Sequence, residues 1–183
     1  MTGTELNGRI ALVTGASRGI GAAIAFSLAM AGAKVGVNYN ISRESAERVI
    51  EKITQGGGEA FLVEGDVSEE ASAEAAVKQV IEQCGQIDIL VNNAGIAHIT
   101  PFIETDLSEL QQIFATNVFA PFVLMRQAAP KMLPAGGGQI IKIASDAALR
   151  DIAQMAPYVA SKHALLGMGR ALALELASEG CHV

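Results

Sequence analysis

Short apolar runs of strand length alternate along the chain with longer segments of helical period. Residues 9–14, 34–38, 60–64, 87–91 and 139–144 predict five strands. Residues 19–31, 42–54, 68–83, 107–132 and 157–178 predict helices. Gly32 stops the first helix as a C-cap. Ser42 caps the second, and Gly56-Gly57-Gly58 ends it. Ser68 is placed to cap the third, with acids in its first turn where the helix dipole is positive. Pro121 predicts a bend inside 107–132, because proline brings no N–H to the helical ladder. Strand and helix alternate without a break. That order predicts an α/β fold with a doubly wound parallel sheet, right-handed crossovers and helices on both faces. Strands apolar on both faces fit such a sheet. No linker, repeat or low-complexity stretch divides the chain, so residues 1–183 read as one domain.

Composition narrows the function. Half of the residues are hydrophobic and 17% are charged, ample for a core and too apolar for disorder. The low charge also hints at surface buried in an oligomer. The net charge of -6 argues against nucleic acid or an anionic membrane as partner, since both call for clustered Lys and Arg. There is no Trp and aromatics are 4%, so a base-stacking platform is not expected. Cys84 and Cys181 have no metal-binding spacing and read as reduced thiols of a cytoplasmic protein. Residues 1–9 are polar and lack the apolar run of a signal peptide. No stretch has the apolar length of a membrane span.

The first chemical motif is Thr14-Gly15-Ala16-Ser17-Arg18-Gly19-Ile20-Gly21, between the first strand and the first helix. Glycines there let backbone N–H groups approach a pyrophosphate, and the helix N-terminus adds positive potential. Glycines also serve tight turns, but a Gly-xxx-Gly-x-Gly spacing in this context points to a dinucleotide. An unphosphorylated ribose is usually held by an acid ending the second strand. This strand ends Val37-Asn38-Tyr39-Asn40, with no acid. Arg18 lies in the turn and can pair with a 2′-phosphate. Arg43 could do the same, but a solvated surface arginine is its ordinary role. The expectation is NADP(H) over NAD(H).

Tyr158 and Lys162 are four apart at the start of the last helix, on one face. An ammonium near a phenol favours phenolate, so such a tyrosine can pass a proton as carbonyl and alcohol interconvert. The pair also arises by chance, as a snorkelling lysine beside a surface tyrosine. Ser145 follows the fifth strand at the C-terminal edge, where a parallel sheet forms its ligand crevice. Its hydroxyl can bind the oxygen that Tyr158 protonates, or simply cap a turn. Asn92-Asn93-Ala94-Gly95 closes the fourth strand at the same edge. Asn117 sits mid-helix, where asparagine is a poor helix former.

Taken in order, Thr14 to Gly21, Asp66-Val67, Asn92 to Gly95, Asn117, Ser145 and the Tyr158/Lys162 pair resemble the short-chain dehydrogenase/reductases over essentially the whole chain. The resemblance implies a three-layer α/β/α Rossmann fold and a dinucleotide-binding domain over 1–183. It implies that Gly15, Ser17, Arg18, Gly19, Ile20 and Gly21 line the pyrophosphate and adenosine ribose. Asp66 would bind the adenine amino group with Val67 beside the ring, and Asn93, Ala94 and Gly95 would support the cofactor. Tyr158 would be the acid/base, Lys162 would hold the nicotinamide ribose and lower the tyrosine pKa, and Ser145 would orient the substrate oxygen. Asn117 would position a water linking Lys162 to solvent.

Two departures stand out. Ala144 replaces a serine common in relatives, without consequence for Ser145. The family pattern also continues past the last helix through a sixth strand, a proline-glycine segment, a substrate lid and a seventh strand, so the chain reads as C-terminally incomplete, truncated before the last strands. Within the family, Val35 to Tyr39 and the Arg18 turn are similar to 3-oxoacyl-[acyl-carrier-protein] reductases. Sugar and polyol dehydrogenases share these features. The implied partners are a small carbonyl or alcohol substrate, free or held on a carrier protein, and further copies of the chain in a dimer or tetramer. The helices over 107–132 and 157–178 would pack against copies of themselves, with Phe114, Val118, Phe122, Leu165, Leu172 and Leu176 as apolar surface. A non-catalytic cofactor binder or inactive fragment is the reading of another class.

Overall fold

The computed structural model describes residues 5–183; the first four residues of the polar segment 1–9 lie outside it. Five parallel strands form one sheet in the order β3-β2-β1-β4-β5. They are β1 (Ile10–Val13), β2 (Lys34–Tyr39), β3 (Glu59–Glu64), β4 (Ile89–Asn92) and β5 (Gln139–Lys142). The helices are α1 (Gly19–Met30), α2 (Arg43–Gln55), α3 (Glu70–Cys84), α4 (Leu107–Phe114), α5 (Ala120–Met132) and α6 (Ala156–Leu176).

The period-2 alternation of each strand sorts its side chains into two cores. Ala11, Val13, Val35, Val37, Ile89 and Val91 pack with Ala25 and Ala29 of α1 and Ala46 and Ile53 of α2. Leu12, Leu90 and Ile140 face the other way, onto Val77 and Val80 of α3 and Leu124, Ala128 and Met132 of α5. Leu172 and Leu176 of α6 complete that second layer. The sheet order reverses at β1, so β1 and β4 send their chains to opposite faces and open a crevice at their C-terminal ends.

Two expectations need correction. The helix over 107–132 is two helices joined by a π-helical turn, Ala115–Phe119, with Pro121 in the first turn of α5. Pro121 has no N–H for the carbonyl four residues back and its ring crowds that carbonyl, so the chain widens to i+5 spacing just before it. Ser68 does not cap α3, which starts at Glu70. Its N–H and hydroxyl instead donate to Asp66 Oδ1 at 2.9 and 2.6 Å, closing a side-chain turn. The last helix ends at Leu176 and tightens into a 3-10 turn, Ala177–Glu179. His182 then bridges to Gln139 in parallel, beside β5.

Candidate active site

The turn between β1 and α1 is tied to three strands. Thr14 is buried; its hydroxyl accepts from the N–H groups of Asn93 and Ala94, both at 3.0 Å. Asn93 returns the contact, its Nδ2 donating to the carbonyls of Thr14 at 2.8 Å and Gly15 at 3.2 Å. Gly15 has φ +61, a backbone region costly for residues with a Cβ. Its N–H donates to Oδ1 of buried Asn38 at 3.1 Å, and Asn38 Nδ2 donates to the carbonyls of Val63 and Gly65. Gly21 lies so close to Asn93 Nδ2 and the Gly15 carbonyl that a side chain there would collide with both.

Arg18 precedes α1 in extended conformation, and no side chain caps that helix start. Its free N–H groups and positive dipole end border a cavity of about 670 Å³. Gly15, Ser17, Arg18, Gly19, Ile20 and Gly21 line one side of it, Asp66 and Val67 another, and Asn93, Ala94 and Gly95 a third. Thus the expected cofactor residues of the glycine turn, Asp66-Val67 and Asn93 to Gly95 converge on one space, whereas Tyr158 and Lys162 do not line it. Its size suits a nucleotide-like ligand. Arg18 is exposed there and forms no ion pair among the described residues. Arg43 instead pairs with Glu47 at 2.9 Å and Glu64 at 3.8 Å, in the surface role. Asp66 borders the cavity with its oxygens engaged by Ser68 and by Asn40 Nδ2 at 2.7 Å.

The proposed catalytic residues lie along the edge beyond this cavity. Lys162 is 5% exposed. Its Nζ donates to the Ile143 carbonyl at 2.8 Å and sits 5.7 Å from the centroid of the Tyr158 ring. Burial pulls the Lys162 ammonium below its ordinary pKa. Ser161, buried between them in sequence, donates to the Tyr158 carbonyl at 2.7 Å and accepts from Asn117 Nδ2 at 3.0 Å. Asn117 also exchanges two hydrogen bonds with the Ile96 backbone. Its side chain is therefore a clamp between the π turn, α6 and the segment after β4. Ser145 accepts from the Ala147 N–H at 3.1 Å and donates to Asp146 Oδ1 at 3.0 Å. In this state it caps the turn Asp146–Ala148, the ordinary serine role.

The protein-family model for short chain dehydrogenases matches residues 9–183. The chain belongs to this family. A 3-oxoacyl-[acyl-carrier-protein] reductase of Staphylococcus aureus is 39% identical over 173 residues, which are 94% of this chain and 70% of that protein. A metagenomic short-chain oxidoreductase solved with NADP superposes with a TM-score of 0.93 at 38% identity, covering 97% of this chain and 80% of that one. A 7α-hydroxysteroid dehydrogenase solved with NADH and 7-oxo glycochenodeoxycholic acid gives a TM-score of 0.93 at 36% identity, over 98% of this chain and 70% of that one. Short-chain dehydrogenases bind nicotinamide cofactors, and this chain is an oxidoreductase of that family with its parallel fold.

Sequence reasoning missed three members of this short-chain dehydrogenase site. In sequence Asn38 reads only as the absence of an acid, yet its amide ties three strand ends. Ser161 carries no motif of its own. A small polar residue directly before Lys162, on the face where α6 meets the π turn, was the available signal. Thr14 belonged to the motif without a role of its own.

Proposed function

We propose that the native protein interconverts a carbonyl and a secondary alcohol with NADP(H), and that it is a reductase of the 3-oxoacyl-[acyl-carrier-protein] type. The observation carrying this reading is the buried Lys162 ammonium beside the Tyr158 ring. An ammonium held there places positive charge beside the side chain proposed to pass the proton. The cavity, the open helix start and the glycine turn fit a nicotinamide dinucleotide, which when bound supplies or accepts the hydride. Tyr158 moves the proton at the substrate oxygen. Lys162 holds the nicotinamide ribose, and Ser145 orients the substrate oxygen once its hydroxyl leaves Asp146. Asn117 braces α6 through Ser161, the residue directly before Lys162. Its own carbonyl lies four residues before Pro121, which has no N–H to give it, and that carbonyl holds the water of a proton relay.

Arg18, at the cavity rim and without an ion pair among the described residues, favours the 2′-phosphate of NADPH. The substrate is a small carbonyl or alcohol, on a carrier protein in the reading favoured by the S. aureus relative's name. A second copy of the chain covers the apolar groove of about 410 Å³ between α5 and α6, lined by Phe122, Met125, Met168 and Leu172. Leu165, at 2% exposed, is core rather than interface. Among the described residues no helix is long and apolar enough to cross a membrane, and a cytoplasmic location fits the two free cysteines.

The test is Tyr158→Phe in the native protein, with loss of reduced-nicotinamide absorbance followed over a panel of 3-oxoacyl thioesters, ketones and sugars. Activity should fall by about 10²–10⁴-fold with NADPH affinity little changed. Full activity in Tyr158→Phe defeats the assignment of the acid. A wild type that binds NADPH and turns nothing over is a cofactor binder.

A further inference from the structure

The segment after β4 is pinned at two points. At Ile96 it is clamped by Asn117. At Thr100 it meets two other elements: the Thr100 N–H donates to the Gln154 carbonyl at 2.8 Å, and the Thr100 hydroxyl donates to Glu109 Oε2 on α4 at 3.1 Å. Gln154 has φ +62, the left-handed region, and among the described residues no other non-glycine residue has positive φ. Gln154 lies four residues before Tyr158 and directly ahead of the residues that begin α6. Such a backbone is disfavoured for a residue with a Cβ and persists only where neighbours hold it. The other Glu109 oxygen, Oε1, is buried without a hydrogen-bond partner among the described residues, 3.8 Å from His98 Nδ1. Glu109 is 19% exposed, so its carboxylate is committed inward rather than solvated.

We propose that Glu109, acting through Thr100, is a positioning residue that locks together the two segments flanking Tyr158 and so sets the wall against which the carbonyl substrate rests. The three residues between the two pins, Ala97, His98 and Ile99, span the gap from the cofactor cavity at Ile96 to the Gln154 segment. The apolar, exposed Ile99 and the His98–Glu109 couple are what a substrate entering along that gap meets. A carboxylate is suited to the lock because it accepts the Thr100 hydroxyl with one oxygen and faces His98 with the other. None of these groups touches the reacting atoms. Their effect is on how firmly the substrate is held.

This inference rests on the carbonyl-reductase reading, and its test separates the two. Kinetics use the native protein, NADPH and whichever carbonyl of the panel the wild type reduces fastest. Glu109→Ala should raise KM at least about fivefold with kcat held within about twofold, the signature of lost binding that is uniform between ground and transition states. NADPH affinity should not move. Thr100→Val should reproduce the loss, and the double variant should be no worse than either single one, because both remove one interaction. Glu109→Gln should restore KM, since its amide oxygen still accepts the Thr100 hydroxyl. Unchanged KM in Glu109→Ala, multiplied losses in the double variant, or no rescue by glutamine each overturns the proposal. Amide hydrogen exchange over residues 96–105 reads the lock without turnover. Glu109→Ala should accelerate it and Glu109→Gln should not, and the same exchange in all three proteins overturns the lock. A wild type that reduces nothing defeats the carbonyl-reductase reading, and exchange then decides the lock alone.

Discussion

Asn117 and Ile96 exchange a pair of hydrogen bonds. The Ile96 N–H donates to Asn117 Oδ1 and Asn117 Nδ2 donates to the Ile96 carbonyl, each at 2.9 Å. The side-chain amide reads both backbone polar groups of one residue, because it carries an acceptor oxygen and a donor nitrogen side by side. Asn117→Leu keeps the branched shape and leaves the Ile96 N–H, the Ile96 carbonyl and the Ser161 hydroxyl short of a partner. Stability should fall by about 2–3 kcal/mol, read as a lower urea midpoint at unchanged m. Asn117→Asp should lie between, because it accepts from Ile96 but cannot donate to it. If leucine and wild type share one midpoint, the clamp contributes nothing to the fold.

Arg18 stands at the cavity rim with no carboxylate on it among the described residues. Hydrogen bonds to a charged group contribute about 1.5–3 kcal/mol. Arg18→Ala should therefore raise the NADPH Kd by about 10- to 100-fold and leave NADH within about twofold. Equal losses for both cofactors, in a titration by quenching or calorimetry, would sink the 2′-phosphate assignment.

Gly21→Ala tests the part of the proposed cofactor site that NADPH and NADH would share. The added methyl meets Asn93 Nδ2 and comes 2.6 Å from the Gly15 carbonyl and 3.0 Å from Ala16 Cα. The Asn93 strap must open to admit it. Overpacking of this kind costs about 1–3 kcal/mol. NADPH and NADH binding should fall together, in contrast to Arg18→Ala, and the melting temperature should drop. Intact binding of both cofactors would show that the strap does not shape the phosphate turn.

The order of strands and helices was legible because alternation of buried runs and helical periods survives in any one stretch of sequence. Strand ends shifted by a residue or two, as at 9–14 against Ile10–Val13. The π turn was not legible as such. Periodicity windows average over the one extra residue, and Pro121 signalled a disturbance without its form. The residues expected to hold the cofactor form a legible motif, and all of them except Tyr158 and Lys162 line one cavity. Asn38 and Ser161 escaped because their work is to satisfy backbone and side-chain groups far away in sequence, at Val63, Gly65 and Asn117. Only the folded register brings those groups together. The Glu109–Thr100 contact escaped for the same reason, since a Thr and a Glu in a polar stretch read as solvated.

Lys142 carries a prediction about pH. It ends β5 against Gly169 of α6, and its Nζ has no hydrogen bond or ion pair among the described residues. Burial holds its ammonium below the ordinary lysine value of 10.5. The folded chain thus releases this proton at lower pH than the unfolded chain does. Between the two pKa values the unfolded state holds more protons, so this group's penalty is full below the folded pKa and fades as pH rises toward 10.5. Lys142→Met keeps the unbranched stem and removes the charge. The variant should be more stable than wild type at pH 7, and the gain should shrink between pH 7 and pH 10. Paired urea titrations of both proteins at the two pH values read the difference directly, with the remaining titratable groups common to both. A gain that stays constant or grows with pH would mean that the Lys142 ammonium is solvated in the folded protein, and that the contact with Gly169 is made by its apolar stem alone.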